Sequence, residues 1–260
     1  MANKNPHNYP TVEIDLPSKG LPYPTDNPAS KGKIEMMYPG AAQSDILTNG
    51  NYLAKGLAVK KYMESIVLSD INIDDLIPGD RDAVMINSHI VGFGKEYITT
   101  VTLDRGPEPV SFDISTFKER DVNWDLFTQG VNEFEYVTGR KDVVKFKLLS
   151  GVDEEKMAQE EEGMKKINPN FSGGNSLFLK YCLIEVNGKR DSKSIRDFVD
   201  KKLLQLDITD LTEYIVSVSP GYVWEASGTR QNGEVVEGLS VPYTTNFFWP
   251  SIKKFKPVLG

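Results

Sequence analysis

Seven prolines crowd the first 43 residues: Pro6, Pro10, Pro17, Pro22, Pro24, Pro28 and Pro39. Proline has no backbone N–H and pushes the residue before it toward extended geometry, so regular helix is excluded over this stretch. Val12, Ile14, Leu16, Leu21 and Tyr23 are interspersed, more apolar side chains than a disordered tail carries. Residues 1–43 therefore read as an extended arm that lies against something. Two surfaces could receive it, its own domain or a neighbouring subunit. On the second alternative Leu16, Pro17, Leu21 and Tyr23 are the residues it presents to a partner.

The composition removes several classes of protein. The chain has 260 residues, with 30 Lys+Arg against 37 Asp+Glu, a net charge of −7. One cysteine cannot form an internal disulfide, and with two histidines it cannot complete a Cys₂His₂, Cys₃His or Cys₄ zinc site. Net acidity without a long basic block gives no support to sequence-independent nucleic-acid binding. No apolar segment follows Met1–Pro6, and the longest apolar runs, such as Ile66-Val67-Leu68, fall far short of the roughly 20 residues a membrane-spanning helix needs. A protein made and used in a cytoplasm is expected, without membrane insertion.

Beyond the arm, periodicity predicts an α+β chain: helices plus antiparallel β-hairpins in two similarly ordered halves. In the first half, residues 44–150, Ser44 to Leu68 reads as helix, and a second helix starts near Asp80, carrying Ala83, Ile86 and Ile90. Tyr97–Leu103 and Val110–Ile114 read as a strand and its return. Phe134 and Tyr136 alternate with glutamates, and Val144, Phe146 and Leu148 with lysines, predicting a hairpin with Glu133 and Glu135 facing Lys145 and Lys147. Residues 151–174 form a charged linker, with a solvated helix over Asp153–Lys166. The second half, 175–260, carries an apolar segment Ser176–Val186, a helix over Ser194–Leu206, and a helix capped by Asp207. Strands Tyr222–Ala226 and Glu234–Val241 follow, around Asn232-Gly233. Asp80 to Tyr97 and Asp207 to Tyr222 run in the same order, which hints at an internal duplication.

No catalytic or cofactor motif emerges. Asp70-Ile71-Asn72-Ile73-Asp74 opens like a calcium loop, but Asp75 and Arg81 stand where glycine and a bidentate glutamate are required. Gly92-Phe93-Gly94-Lys95 ends a helix instead of opening one, so it is no phosphate loop. His89 lies in an apolar helical stripe, and Cys182 reads as a buried core thiol. No enzyme activity, metal or cofactor is expected.

Near the C-terminus, Phe247-Phe248-Trp249-Pro250 sets three aromatics in a row. Each can bury roughly 150–250 Å². A strand here would send Phe247 and Trp249 to one face and Phe248 to the other. The segment either closes the core or anchors a partner.

The block Val12-Glu13-Ile14-Asp15-Leu16-Pro17-Ser18-Lys19-Gly20-Leu21-Pro22-Tyr23-Pro24 resembles the opening of a family of baseplate hub subunits and hub assembly proteins of contractile-tailed bacteriophages. The likeness continues through Ser44-Asp45-Ile46-Leu47, Leu76-Ile77-Pro78-Gly79-Asp80, the step from Gly94 to Tyr97, and Phe247-Phe248-Trp249-Pro250. Some members of that family carry cysteine pairs near their hairpins. Leu103-Asp104-Arg105-Gly106 and Trp224-Glu225-Ala226-Ser227-Gly228 hold none here, so no metal role is carried over. The resemblance implies a non-enzymatic tail protein, part of a multi-subunit complex, with other hub proteins and the tape-measure protein as partners. Its alternative is a transient assembly chaperone absent from the mature virion. Either would be found in the host cytoplasm during assembly, and the first also in the virion.

Overall fold

A computed structural model describes residues 5–104, 106–243 and 247–248. It is a mixed fold of helices and antiparallel sheets. Strand β1 (Thr11–Asp15) pairs antiparallel with β2 (Lys33–Met37), setting Ile14 opposite Ile34. The connection between them is a folded loop. Lys19 (φ 54°) and Gly20 (φ 75°) turn it in the left-handed region, and Asn27 caps a short 3₁₀ turn over Pro28–Lys31. A Cβ on Gly20 would come within 2.5 Å of the Gly32 nitrogen and the Ser30 oxygen, so the loop closes on itself there.

The segment is a hairpin instead of an extended arm, and of the two surfaces expected to receive it, its own domain does. Ile14, Leu16, Tyr23, Ile34, Met36 and Met37 are all buried and join the main core. The prolines exclude helix, but they are compatible with strand ends and turns, which is how the chain uses them. Backbone bonds from Leu68 to Glu35 (2.9 Å) and from Glu35 to the Ser69 hydroxyl (2.9 Å) fasten β2 to the segment that follows.

Ser44–Leu68 is not one helix but part of three: α1 (Ala41–Thr48), α2 (Gly50–Ala54) and α3 (Ala58–Ile66). Asn49 takes an extended conformation and its side chain accepts from the Asn51 and Tyr52 amides, which starts a new helix instead of continuing the old one. Gly56 (φ 67°) makes the second break. The helix α4 (Pro78–Phe93) begins with Pro78 at its first position and ends at Gly94 (φ 91°). Strands β3 (Glu96–Leu103) and β4 (Gly106–Asp113) follow, with Tyr97 opposite Phe112 and Thr99 opposite Val110 on the buried face.

The predicted hairpin forms as β5 (Phe134–Val137) and β6 (Val143–Phe146), and β7 (Leu183–Val186) adds to the free side of β6. Glu135 does sit across from Lys145. Glu133 is instead held by Arg190 at 3.0 Å, and Lys147 by Asp153 at 2.7 Å, because the segment after β7 and a following helix supply nearer partners.

Helix α5 (Gly151–Ile167) starts at a Ser150–Asp153 capping box. Next come α6 (Gly174–Cys182), α7 (Ser192–Lys201) and α8 (Gln205–Ser217). The helix expected to reach Leu206 stops at Lys201, and Leu206 is exposed. Asp207 is the third residue of α8 and accepts from the Leu204 amide at 3.3 Å; it does not stand outside the helix as the cap.

Strands β8 (Glu225–Arg230) and β9 (Val235–Ser240) form the last hairpin; the first strand does not open at Tyr222 as expected, because Tyr222 bridges to Glu119 and the ladder starts only at Glu225. β8 pairs with β4, so the sheet order is β3-β4-β8-β9, while β5-β6-β7 is a separate sheet. The two hairpins that suggested separate halves thus share one sheet. β5–β6 has no counterpart in the second half, so the halves are not symmetric copies. One connected cluster of buried apolar side chains runs from Ile14 to Phe248.

Candidate functional site

The loop after β1 is anchored to the start of α4 by a buried polar knot. Asp80 is fully buried and accepts three hydrogen bonds: from the Ser18 amide (3.0 Å), the Ser18 hydroxyl (2.6 Å) and the Tyr23 phenol (2.5 Å). The Ile77 amide in turn donates to the Tyr23 oxygen at 3.0 Å. Burial raises the Asp80 carboxyl above its ordinary value, and the Ser18 and Tyr23 bonds pull it back. Burial, then the neighbouring carboxylate, pushes the Tyr23 phenol far above its usual range. Asp80 also sits in the first turn of α4, where the helix dipole favours a carboxylate. Beside it, Gly79 lies against the chain at Pro220-Gly221 so closely that a Cβ would come within 2.1 Å of the Pro220 oxygen.

The residues expected to face a partner are placed plainly. Leu16, Pro17 and Tyr23 are buried within this chain, and Leu21 is half-buried, its carbonyl accepting from the Gly130 amide at 2.9 Å. Their side chains are therefore spent on the protein's own packing. Lys19 reaches outward from this loop, with its ammonium 3.9 Å from the centre of the Trp124 ring.

Phe247 and Phe248 are also core residues, 1% and 6% exposed, and neither of them lies in a strand. The Phe247 ring packs against His89 (4.7 Å between centroids), Tyr97 (5.1 Å) and Tyr243 (5.1 Å), and Phe248 packs edge-on to Tyr62 (5.8 Å). His89 Nδ1 meets the Phe247 carbonyl at 2.6 Å, and the Tyr97 phenol donates to the Pro242 carbonyl at 2.9 Å. Both bonds close the molecule by fastening this segment. Trp249 and Pro250 lie outside the described residues.

Sequence reasoning missed a cleft of about 240 Å³ between α4, α5, α6 and α8. Leu148, Leu149, Met157 and Phe178 line its apolar wall; Asp82, Arg120 and Glu154 are its charged groups. Burial raises the Asp82 carboxyl, opposed by a bond from the Trp224 indole (3.3 Å) and by the Arg81 and Arg120 charges. Arg81 is paired with Glu154. Cys182 lines the same cleft. Its thiol donates to the Lys147 carbonyl at 3.0 Å, and burial pushes it up to about 12, so it stays protonated and is not an activated nucleophile. The arrangement suits a small amphipathic group with a cationic or hydrogen-bonding end. Its charged residues come from three distant segments, and no local motif links them. Among the described residues, no cluster of His, Cys, Asp and Glu is arranged to hold a metal ion, and no helix is long and apolar enough to cross a membrane.

Helix α5 is solvated as expected, Gly151 being its one buried residue, and its acidic side chains are paired. Asp153 pairs with Lys147 (2.7 Å), Glu154 with Arg81, Glu155 with Lys60 (3.8 Å) and Glu160 with Arg196 (2.7 Å). The Tyr181 phenol adds a bond to Glu160 at 2.9 Å. These partners lie on α3, α4, α7, α6 and the end of β6, so α5 straps several elements together. No family model, no curated protein and no solved structure matches the chain.

Proposed function

We propose that the chain is a non-enzymatic subunit of the baseplate hub of a contractile phage tail. The observation that carries this reading is how the resembling blocks meet. Val12–Pro24 and Leu76–Asp80 are joined through Ser18, Tyr23, Ile77 and Asp80. The strand opening at Tyr97 and the Phe247-Phe248 pair are joined by ring packing at 5.1 Å. Blocks far apart in sequence thus form two contacts, each internal to the fold. A signature made of such residues describes a body built to a fixed shape, which is what a stacked tail component requires. On the same reading the partners are other hub proteins and the tape-measure protein.

The charged insert that suggested an assembly chaperone has its acids bound within the chain, which weakens the motive for that alternative. Mass spectrometry of purified tails decides between the two. A subunit is retained at fixed stoichiometry. A chain needed for baseplate formation yet missing from finished tails would overturn the subunit reading in favour of the chaperone.

A further inference from the structure

We infer that one end of the molecule, where the β5–β6 turn meets the β7–α7 turn and the α7–α8 junction, is a docking site for an acidic protein segment bearing aliphatic side chains. A pocket of about 330 Å³ opens there. Lys189, Lys201, Lys202, Ser194 and Asn187 line it over the buried Phe198 ring. Asn187 (φ 49°) and Gly188 (φ 79°) form a tight left-handed turn that brings Lys189 to the rim. Arg140 donates to the Lys202 carbonyl at 2.9 Å, fastening the β5–β6 turn, with Lys141 beside it, onto the same end.

The charge is the unexpected part. The chain carries −7 overall, yet Arg140, Lys141, Lys189, Lys193, Lys201 and Lys202 gather here. Most of the carboxylates near them are engaged. Asp197 pairs with Lys201 at 2.6 Å, Asp200 with Lys180 at 2.6 Å, Asp142 accepts from the Asn187 amide group at 2.7 Å, Asp191 caps α7 through the Ser194 amide at 2.9 Å, and Asp207 accepts from the Leu204 amide at 3.3 Å; Asp210 lies to one side, toward Tyr136. Lys141, Lys189, Lys193 and Lys202 make no ion pair within 4.0 Å among the described residues, whereas Lys60, Lys147, Lys165 and Lys166 around α5 are paired.

Apolar surface adjoins this basic rim. Leu204 and Leu206, just past Lys202, are 56% and 70% exposed. Val137 and Val143 are exposed and face each other across β5–β6, and Val143 exchanges two bonds with Asn187 at the pocket. Exposed aliphatics beside unpaired cations make a surface complementary to carboxylates interleaved with apolar side chains. A nucleic acid fits it less well. Phe198 is buried and the Tyr136 ring is packed against Tyr214 at a tilt, so neither is presented for bases to stack on, and the net negative charge repels a polyphosphate at long range. The inference is independent of the baseplate reading, because its test uses the purified chain alone.

The full-length protein is titrated with a fluorescent peptide of repeating Glu-Leu-Asp, a Lys-Leu peptide and an oligothymidylate, reading anisotropy and amide chemical shifts. The acidic peptide should bind, shift residues around 137–143 and 186–206, and lose roughly tenfold in affinity on raising salt from about 50 to 200 mM. The double variant K189E/K202E, and separately L206S, should each weaken binding about tenfold or more with an unchanged melting temperature. K31E/K55E, on exposed lysines elsewhere, should bind as the wild type does. No binding, binding indifferent to K189E/K202E, or tighter binding of the oligothymidylate would overturn the proposal.

Discussion

Tyr23 donates a 2.5 Å hydrogen bond to Asp80, 57 residues further along the chain, and the two side chains are buried together. Tyr23→Phe removes that donor and also the acceptor for the Ile77 amide, at an expected cost of about 1–3 kcal/mol. Asp80 also sets a pH dependence. Burial raises its folded-state value above 3.8, so the folded chain binds this proton more tightly than the unfolded chain does. The stability it contributes is complete below 3.8 and is lost as pH rises through the raised value. Melting curves of wild type and Asp80→Asn across this window should show the wild type losing ground as pH rises. A gap that moved the other way would contradict the raised value.

Phe247→Ala should destabilise the isolated protein by about 3–5 kcal/mol, because the ring is enclosed by His89, Tyr97 and Tyr243. Urea denaturation of the purified chain measures this directly. An unchanged midpoint would mean that the ring is not part of the core.

Gly79→Ala should be harmful even though alanine favours helix by up to about 1 kcal/mol over glycine. The new methyl group would meet the Pro220 oxygen and the Gly221 Cα at 2.1 and 2.6 Å, both backbone atoms that cannot rotate away. Overpacking costs typically about 1–3 kcal/mol and outweighs the propensity gain. A variant as stable as the wild type on chemical denaturation would show that the Pro220-Gly221 segment can retreat.

Glu160→Gln tests the strap made by α5, and its pH sign is opposite to that of Asp80. The bond from Arg196, offset in part by desolvation, holds the Glu160 carboxyl below its ordinary 4.5. Its contribution is therefore present above 4.5 and lost as pH falls through the depressed value. Both partners are partly open to solvent, so the expected loss near neutral pH is about 0.5–1 kcal/mol, and smaller at high salt. Denaturation at two salt concentrations measures it. A loss independent of salt would mean that packing, and not charge, is what the substitution removes.

Local periodicity made the β5–β6 hairpin legible. Phe134 and Tyr136 facing Phe146 and Val144 follow from alternation alone, as does the apolar stripe of α4. The α1–α3 breaks depend on a cap at Asn49 and a turn at Gly56, signals that compete with a helical stripe running straight through them. Prolines told what residues 1–43 could not form but not where they lie, because Ser18 and Tyr23 are placed by a carboxylate on α4. The cleft at Asp82, Arg120 and Glu154 and the basic end at Lys189 and Lys202 arise only when distant segments meet, so no spacing along the chain announces them.

The β4–β8 seam also bears on how the protein is made. Phe112 lies opposite Gly228, and a Cβ on Gly228 would come within 2.4 Å of Val110 Cγ1, so this strand fits its neighbour through the absence of a side chain. At ordinary elongation rates the ribosome needs roughly 6 to 23 s to travel from Phe112 to Gly228. For that interval β4 has an open edge, and Val110 and Phe112 wait for the chain that will cover them. The nascent protein therefore passes through a stage in which a half-built sheet must be kept from pairing with another nascent copy. Slower translation of the intervening segment would lengthen that exposure without altering a single residue of the finished molecule.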